Sequence, residues 1–254
     1  MDIIFVIILG GLWGSFANVC IYRLPIGKGV VSGRSFCPNC KKLITWKDNI
    51  PIISFLFLNG KCRNCKKKIS PQYLLIELIT IVYFLVIYYL FGFSLTTLLF
   101  FILSIFFVII FFIDLKHFII PNQLTFPLMA IGFFKTFNPN LNQYFFPNLI
   151  DSMIGGVVGY LIIWIIIFVY KKLRKKEGMG LGDAKLLSAI GFWFGWMSIP
   201  FILFFSSFIA LAYALPSLLN KSKNMSSSIP YGPYLVLGCV LYLLLLKQIV
   251  LYLN

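Results

Sequence analysis

Acidic residues are scarce in this chain: seven in 254, against 22 lysines and arginines, with a single histidine. Charged residues of both signs make up 11% of the sequence, while 60% is hydrophobic. So few charges cannot cover a water-facing surface, which excludes a soluble domain. The first apolar segment has no basic stretch before it and no small-residue cleavage pattern after it. It is therefore read as a retained span and not as a removable signal peptide. No DNA- or RNA-binding motif accompanies the basic residues, so nucleic acid is not expected as a partner. No repeat relates the two halves, and no glycine-rich nucleotide-binding fingerprint is visible.

What is present is a series of apolar segments, each suited to about 30 Å of hydrocarbon. Eight are read, at 2–20, 73–92, 95–114, 124–137, 149–170, 184–199, 200–218 and 231–252. The fourth and sixth are short, and Pro200 marks the break between the sixth and seventh. The fold class is thus an all-α polytopic membrane protein of about eight transmembrane helices. A small cytoplasmic zinc-ribbon-like insert separates helices 1 and 2. The chain divides into a first helix (1–20), a tetracysteine domain (21–72) and a membrane domain (73–254).

The positive charge is informative by location. Eleven Lys/Arg lie between Arg23 and Lys68 against one acid, Asp48. A second cluster is Lys171, Lys172, Arg174, Lys175 and Lys176. With eight spans, these clusters join Lys116, Lys185, Lys221 and Lys223 on one side, and only Lys135 and Lys247 lie toward the other. The positive-inside rule makes the rich side cytoplasmic and puts both termini outside. Topology and contact with anionic membrane lipid account for the lysines.

The polar insert contains Cys37-Pro38-Asn39-Cys40 and Cys62-Arg63-Asn64-Cys65. Two such pairs can offer four thiolates to one tetrahedral structural zinc ion. The Pro-Asn and Arg-Asn middles, with Gly33 and Gly60 nearby, suit the required turns. Disulfides are disfavoured in a reducing cytoplasm, and a thioredoxin-type motif would want a βαβ context that is missing. A segment of about 50 residues has too little core to fold unaided, so a metal staple makes physical sense. Cys20 and Cys239 fall in or near apolar spans and read as packing residues.

Asp114 closes the apolar run 100–113, and Asp183 ends Gly178-Met179-Gly180-Leu181-Gly182-Asp183. The charge rule brings both out on the cytoplasmic side. A carboxylate at such a depth is by default a hypothesis about function. Two that can meet supply a general acid and a general base for splitting a peptide bond. The alternative for Asp114 is an interfacial side chain reaching water beside Lys116. For Asp183 it is a helix N-cap, which is compatible with catalysis. Each of the three glycines weakens a helix by about 1 kcal/mol relative to alanine. They permit positive φ and the close approach of another backbone, as a grip on an extended substrate would need. Asn122 or Thr125 is available to cap the helix after Pro121, and Asp151 to cap the fifth. His117 reads as a polar filler.

These residues resemble the bacterial type IV prepilin peptidases, membrane aspartyl proteases with a GxGD motif, along essentially the whole chain. The segment Gly14-Ser15-Phe16-Ala17-Asn18-Val19-Cys20-Ile21-Tyr22-Arg23-Leu24-Pro25 is similar to the family's N-terminal signature. The segment from Arg34 to Cys40, with the later CxxC, resembles its zinc domain. Asp114 with Ile120-Pro121-Asn122 resembles the first catalytic block, and Gly178 through Leu186 the second. Ile229-Pro230-Tyr231-Gly232-Pro233-Tyr234 resembles a proline-glycine block before the last helix, with Tyr231 where the family usually has Phe.

The resemblance implies a catalytic pair, Asp114 and Asp183, acting on prepilin or pseudopilin substrates. Such a substrate has a short basic leader, a glycine before the cut and a hydrophobic helix after it. Gly178, Gly180 and Gly182 would position the peptide. The signature and the full insert also imply methylation of the new N-terminus with S-adenosylmethionine. A basic leader should prefer an acidic cleft, yet the cytoplasmic face is basic. Glu77 is a candidate leader contact, with pairing to Lys66–Lys68 or Arg23 as the plainer alternative. Asp48 and Glu177 are the other nearby acids.

Two other classes compete. A non-enzymatic proton-coupled transporter should show internal repeats with polar residues at mid-membrane. A thiol-redox membrane protein leaves Asp114 and the glycine run unexplained. Another GxGD protease, presenilin-like or archaeal preflagellin-type, would not need the tetracysteine insert or normally lacks it.

Overall fold

The structure, a computed structural model, describes residues 2–30, 33–138, 141, 145–175, 178–219 and 229–253. Lys176, Lys221 and Lys223, which entered the charge count, and Glu177, named among the nearby acids, lie outside the described residues. The described residues form helices and turns, with two isolated β-bridges and no named strand among them. The long helices are α1 (Asp2–Arg23), α3 (Gln72–Phe91), α4 (Leu95–His117), α5 (Asn122–Phe134), α6 (Leu149–Arg174), α7 (Leu181–Phe194), α8 (Ser198–Leu219) and α9 (Gly232–Leu253). A short α2 (Ile53–Phe57) lies in the insert.

A helix stands at each of the eight apolar segments, but not all are long. Among the described residues, five are apolar and long enough to cross a bilayer: Asp2–Ile26, α3, α4, α6 and the Ser198–Leu215 part of α8. Gly232–Gln248 is a shorter apolar stretch. The 13 residues of α5 and 14 of α7 reach only about 20 Å, at a rise of roughly 1.5 Å per residue. These short segments are the two in which Pro121, Gly180 and Gly195 set the helix ends.

The chain divides into two compact units, Met1–Ile109 and Ile110–Asn254. In the first, α1 and α3 pack closely because small α1 residues face α3. A Cβ at Gly10 would meet Ile81 Cα at 2.9 Å, and one at Gly14 would meet Glu77 Cα at 2.7 Å. Four residues further on, Asn18 Nδ2 donates to the Tyr73 carbonyl at 3.1 Å. Gly10, Gly14 and Asn18 thus share one face, at the helical spacing that meets Ile81, Glu77 and Tyr73 in turn. Arg23, at the end of α1, is 7% exposed and donates to the carbonyls of Gly29, Gly33 and Arg34. It orders the first turn of the insert.

In the second unit α7 is the central element, and nearly every one of its side chains from Asp183 to Phe194 is buried. Gly155, Gly156 and Gly159 of α6 let it approach: a Cβ at Gly159 would meet the Leu187 carbonyl oxygen at 2.6 Å. Ser188 Oγ donates to the Gly156 carbonyl at 2.7 Å and Ser152 Oγ to that of Phe192 at 2.6 Å. On the other side, Trp193 Nε1 donates to the Leu128 carbonyl of α5 at 2.8 Å. Without a hydrophobic drive between helices in lipid, such small-residue contacts and interhelical hydrogen bonds hold the bundle together. The fifth predicted helix is capped by Asn148, whose side chain accepts from the Asp151 amide at 2.8 Å. Asp151, expected as the cap, instead accepts from Trp196 Nε1 at 3.2 Å.

Candidate active site

Asp114 lies in the last turn of α4 and Asp183 in the first turn of α7. Both are buried, at 4% and 8% exposure, and Asp183 lies within electrostatic reach of Asp114. A snorkelling role for Asp114 does not fit that burial. Asp183 is not the N-cap of α7. Gly180 takes that place in an extended conformation (φ −87°, ψ 149°), so Asp183 becomes the third helical residue. Free N–H groups in a first helical turn favour a carboxylate there.

The site has a third member that sequence reading did not place. Gly232, the first residue of α9, donates its backbone N–H to Asp114 Oδ2 at 2.9 Å. A Cβ on Gly232 would lie 2.7 Å from that oxygen and 2.9 Å from Ile120 Cδ1. The Pro230–Pro233 block was the available signal, since a glycine between prolines at a helix start marks a special backbone position.

The three glycines before Asp183 serve different purposes, and none has a positive φ. A Cβ at Gly182 would press on Ile120 Cβ at 3.1 Å, and one at Gly178 on the Tyr170 ring at 2.7 Å. At Gly180 the nearest atoms, including Asp183 Oδ2, are 3.8 Å away. Space therefore opens beside the carboxylate at Gly180, while Gly182 brings the start of α7 against the turn after α4. That turn uses Phe118 at φ 56°, a left-handed position usually given to glycine, with its N–H on the Asp114 carbonyl at 2.9 Å. Asn122 does not cap α5, whose N-cap is Pro121. Its Oδ1 accepts from Lys185 Nζ at 2.8 Å, joining α5 to α7. Thr125 is fully buried and its hydroxyl has no partner among the described residues. His117 is exposed.

The four insert cysteines converge, with all their Sγ atoms within 4.8 Å of one another. Cys37 and Cys65 Sγ are 3.9 Å apart, close to the roughly 3.8 Å edge of a tetrahedron with 2.3 Å metal–sulfur bonds. The two knuckles repeat one design. Cys37 N–H donates to Lys42 O at 3.0 Å and Lys41 N–H to Cys37 O at 2.8 Å; Cys62 pairs with Lys67 and Lys66 at 2.9 and 3.0 Å. A β-bridge closes each, Phe36 to Leu43 and Lys61 to Lys68. The left-handed residues inside the knuckles are Lys41 and Lys66, both at φ 57°, while Gly33 and Gly60 lie outside them. Backbone N–H groups of Cys65 and Asn64 pull the Cys62 thiol down to about 6. The donor set fits a closed tetrathiolate site. Arg63, within the second knuckle, grips Asp48 through Nε and Nη2 at 2.8 and 2.6 Å, which holds the Asp48 carboxyl below its ordinary range. Cys20 and Cys239 are buried, free thiols.

Glu77 lies in the first unit, 8% exposed, and its Oε2 accepts from the Ile52 amide at 2.8 Å. Ile52 itself has a positive φ of 61°. The carboxylate thus ties α3 to the insert, and the expected pairing with Lys66–Lys68 is not what engages it.

Helices of membrane-spanning length, a buried carboxylate pair and a tetracysteine insert define a polytopic membrane protein of the aspartyl-protease type. The comparisons agree. A family model described as "Bacterial Peptidase A24 N-terminal domain" matches residues 8–91, and one described as "Type IV leader peptidase family" matches residues 101–215. A prepilin leader peptidase/N-methyltransferase of Aeromonas salmonicida (strain A449) is 35% identical over 250 residues, covering 89% of this chain and 84% of the relative. Relatives of the same description from Klebsiella pneumoniae (39% over 209 residues; 80% and 90%) and Neisseria gonorrhoeae (36% over 255 residues; 91% and 86%) are also similar. No solved structure matches the chain. The chain belongs to the type IV leader peptidase family.

Proposed function

We infer that this chain is an integral-membrane aspartic endopeptidase that removes the basic leader of type IV prepilins or pseudopilins, and that it methylates the new N-terminus. The observation that carries the reading is the convergence of two buried carboxylates, Asp114 and Asp183, with the Gly232 amide on one of them. Two close like charges do not both ionise, so the pair shares one proton. The ionised member takes a proton from water, and the protonated member polarises the scissile carbonyl. Gly180 leaves room beside Asp183 for an extended peptide, while Gly178 and Gly182 shape the segment around it.

The protein is a multi-pass inner-membrane enzyme with eight spans, its active site and tetracysteine domain (21–72) facing the cytoplasm. This orientation is supported by the basic residues gathered at one set of helix ends. The short α5 and α7 count as spans because they are packed within the bundle. Cys37, Cys40, Cys62 and Cys65 hold a structural zinc ion, which clamps the two knuckles on one centre and takes no part in proteolysis. S-adenosylmethionine supplies the methyl group for the second reaction.

The test co-expresses the chain with a candidate prepilin and replaces each aspartate separately. Asp114→Asn and Asp183→Asn should each lower cleavage by at least about 1,000-fold while the protein stays in the membrane, as for residues acting as one unit. Full processing by either variant would exclude the pair. Mass spectrometry of the mature N-terminus reports the added methyl group.

A further inference from the structure

One apolar stretch of the insert has no part in zinc binding. Ile50-Pro51-Ile52-Ile53-Ser54-Phe55-Leu56-Phe57-Leu58 carries one polar side chain in nine residues. It is too short to cross a bilayer, which takes roughly 20 residues. Yet its neighbours in the N-terminal unit lie well inside the spans. A Cβ at Gly11 would meet Pro51 Cβ at 3.3 Å, and Gly11 stands twelve residues before Arg23, the last residue of α1. At roughly 1.5 Å per residue, that is about 18 Å from the insert end of the helix. The Ile52 amide meets Glu77 Oε2 at 2.8 Å, in the second turn of α3. Gly10 faces Ile81 and Gly14 faces Glu77, so Gly11 lies level with the stretch of α3 between those two residues. Contacts on two helices therefore agree that this part of the insert reaches the depth of the hydrocarbon.

We propose that residues 50–58 form a re-entrant membrane loop, covered on its outer face by lipid acyl chains, that anchors the cysteine knuckles against the bilayer. Hydrocarbon tolerates irregular backbone only where protein buries it and satisfies its polar groups. The irregular half of the loop, with Ile52 at φ 61°, packs on α1 and α3. Pro51 has no N–H to satisfy, and Glu77 accepts that of Ile52. The other half is α2, which bonds to its own chain. The N–H groups of Ser54, Leu56 and Leu58 donate to the carbonyls of Ile50, Ile52 and Ser54, each at 3.0 Å. Ser54 Oγ, the one polar side chain, donates to the Ile50 carbonyl at 2.7 Å. Ile53, Leu56 and Phe57 are all more than half exposed. At this depth they meet acyl chains, as the exposed Ile8 and Leu12 of α1 do. Trp46 and Lys47, both exposed, precede the loop with Lys47 Nζ 5.6 Å from the Trp46 ring, a pair suited to the headgroup level. Glu77 gains a purpose as well: an ionisable group inside a span needs a partner, and here the partner is backbone that folds back into the membrane. The proposal requires only that α1 and α3 span the bilayer, and is independent of the catalytic reading.

The full-length protein is reconstituted into phosphatidylcholine vesicles whose acyl chains carry a photoactivatable diazirine at mid-length. After irradiation and digestion, mass spectrometry maps the lipid adducts. Adducts are expected within residues 50–58 of the wild-type chain as well as on the spans. Adducts on the spans with none in 50–58 would overturn the loop. Nitroxide labels test the same depth by a second route. Ile53→Cys and Leu56→Cys are compared with Lys28→Cys, an exposed position of the insert, and wild type treated alike gives the background from native cysteines. Oxygen should reach the labels at 53 and 56 freely. A water-soluble nickel chelate should collide with them at least about tenfold less often than with the label at 28, because polar solutes are excluded from hydrocarbon. Nickel collisions equal to those at 28 would place the stretch in water and overturn the proposal. Labels shielded from both oxygen and nickel would mean that a second copy of this chain or another protein covers the face, and would overturn lipid as its occupant. Asp114→Asn should give the same adducts and collision rates as wild type, so failure of the proteolytic reading would leave these results untouched.

Discussion

Gly232 donates its backbone N–H to the Oδ2 atom of Asp114 at 2.9 Å, across 118 residues of sequence. The first N–H groups of a helix lack partners within it, so the start of α9 can serve a carboxylate directly. The same glycine is also a spacer, because any side chain there would collide with the oxygen it serves and with Ile120. One small residue thereby couples the last helix to the end of α4 and the turn that follows.

Gly232→Ala should lower cleavage by about 100-fold, as expected when a reacting group shifts by about 1 Å. Protein abundance in the membrane should change little. Gly180→Ala is the useful contrast, since its Cβ would have 3.8 Å of clearance from its neighbours. That variant should fold normally, and a rise in KM would report contact with substrate. Steady-state kinetics on a purified prepilin distinguish the two; wild-type kcat in Gly232→Ala would contradict the geometry.

The face of α1 makes a second prediction. Gly14→Val places a branched side chain where Glu77 Cα allows only 2.7 Å to a Cβ. Overpacking of this kind costs about 1–3 kcal/mol. Thermal unfolding in micelles should show the loss, and Gly27→Ala, with nothing within 4 Å of its Cβ, controls for surface effects. Gly27 has φ 68°, so the control should carry a modest backbone strain of its own.

Much of this was legible in the sequence because the bilayer restricts the choices. Apolar runs located the helices α1 and α3 to α9, five of them of membrane-spanning length among the described residues, and two acids at the mouths of such runs stood out among seven. The spacing of the cysteines led to their convergence. What stayed hidden depends on tertiary approach. The Pro230–Pro233 block marks Gly232 as a special backbone position, but nothing local names Asp114 as its partner, or Lys185 as that of Asn122, since each pairing joins distant helices. Lys41, Lys66 and Phe118 take left-handed conformations normally signalled by glycine, so residue type pointed elsewhere. Asp151 and Asp183 were read as caps by propensity, whereas Asn148 and Gly180 stand at those positions.

The tetracysteine cluster predicts one bound zinc ion per chain. Cys62→Ser or Cys37→Ser should abolish it, as measured by elemental analysis of purified protein, because three thiolates leave the tetrahedron open. Strong chelators should likewise expose the 33–71 segment to protease, since the site's binding free energy is also folding free energy. Unchanged metal content in both serine variants would exclude these cysteines as the ligands.

Trp193 offers the strictest test of how α7 is held. Its ring is fully buried, its Nε1–H reaches the Leu128 carbonyl at 2.8 Å, and Gly132 of α5 leaves the space it fills. Trp193→Phe removes the hydrogen bond and part of the ring, and should cost about 1–3 kcal/mol in thermal stability. Ser188→Ala deletes a single interhelical bond to Gly156 and should cost about 0.6 kcal/mol, the average for such bonds in a bilayer. Asp183 stands on the same helix, about 1.4 turns from Ser188 and about 2.8 from Trp193, so slack in α7 should also appear as a lower kcat with KM little changed. Greater stability in both variants would mean that α7 is not wedged between α5 and α6 as described, and that the position of Asp183 has another cause.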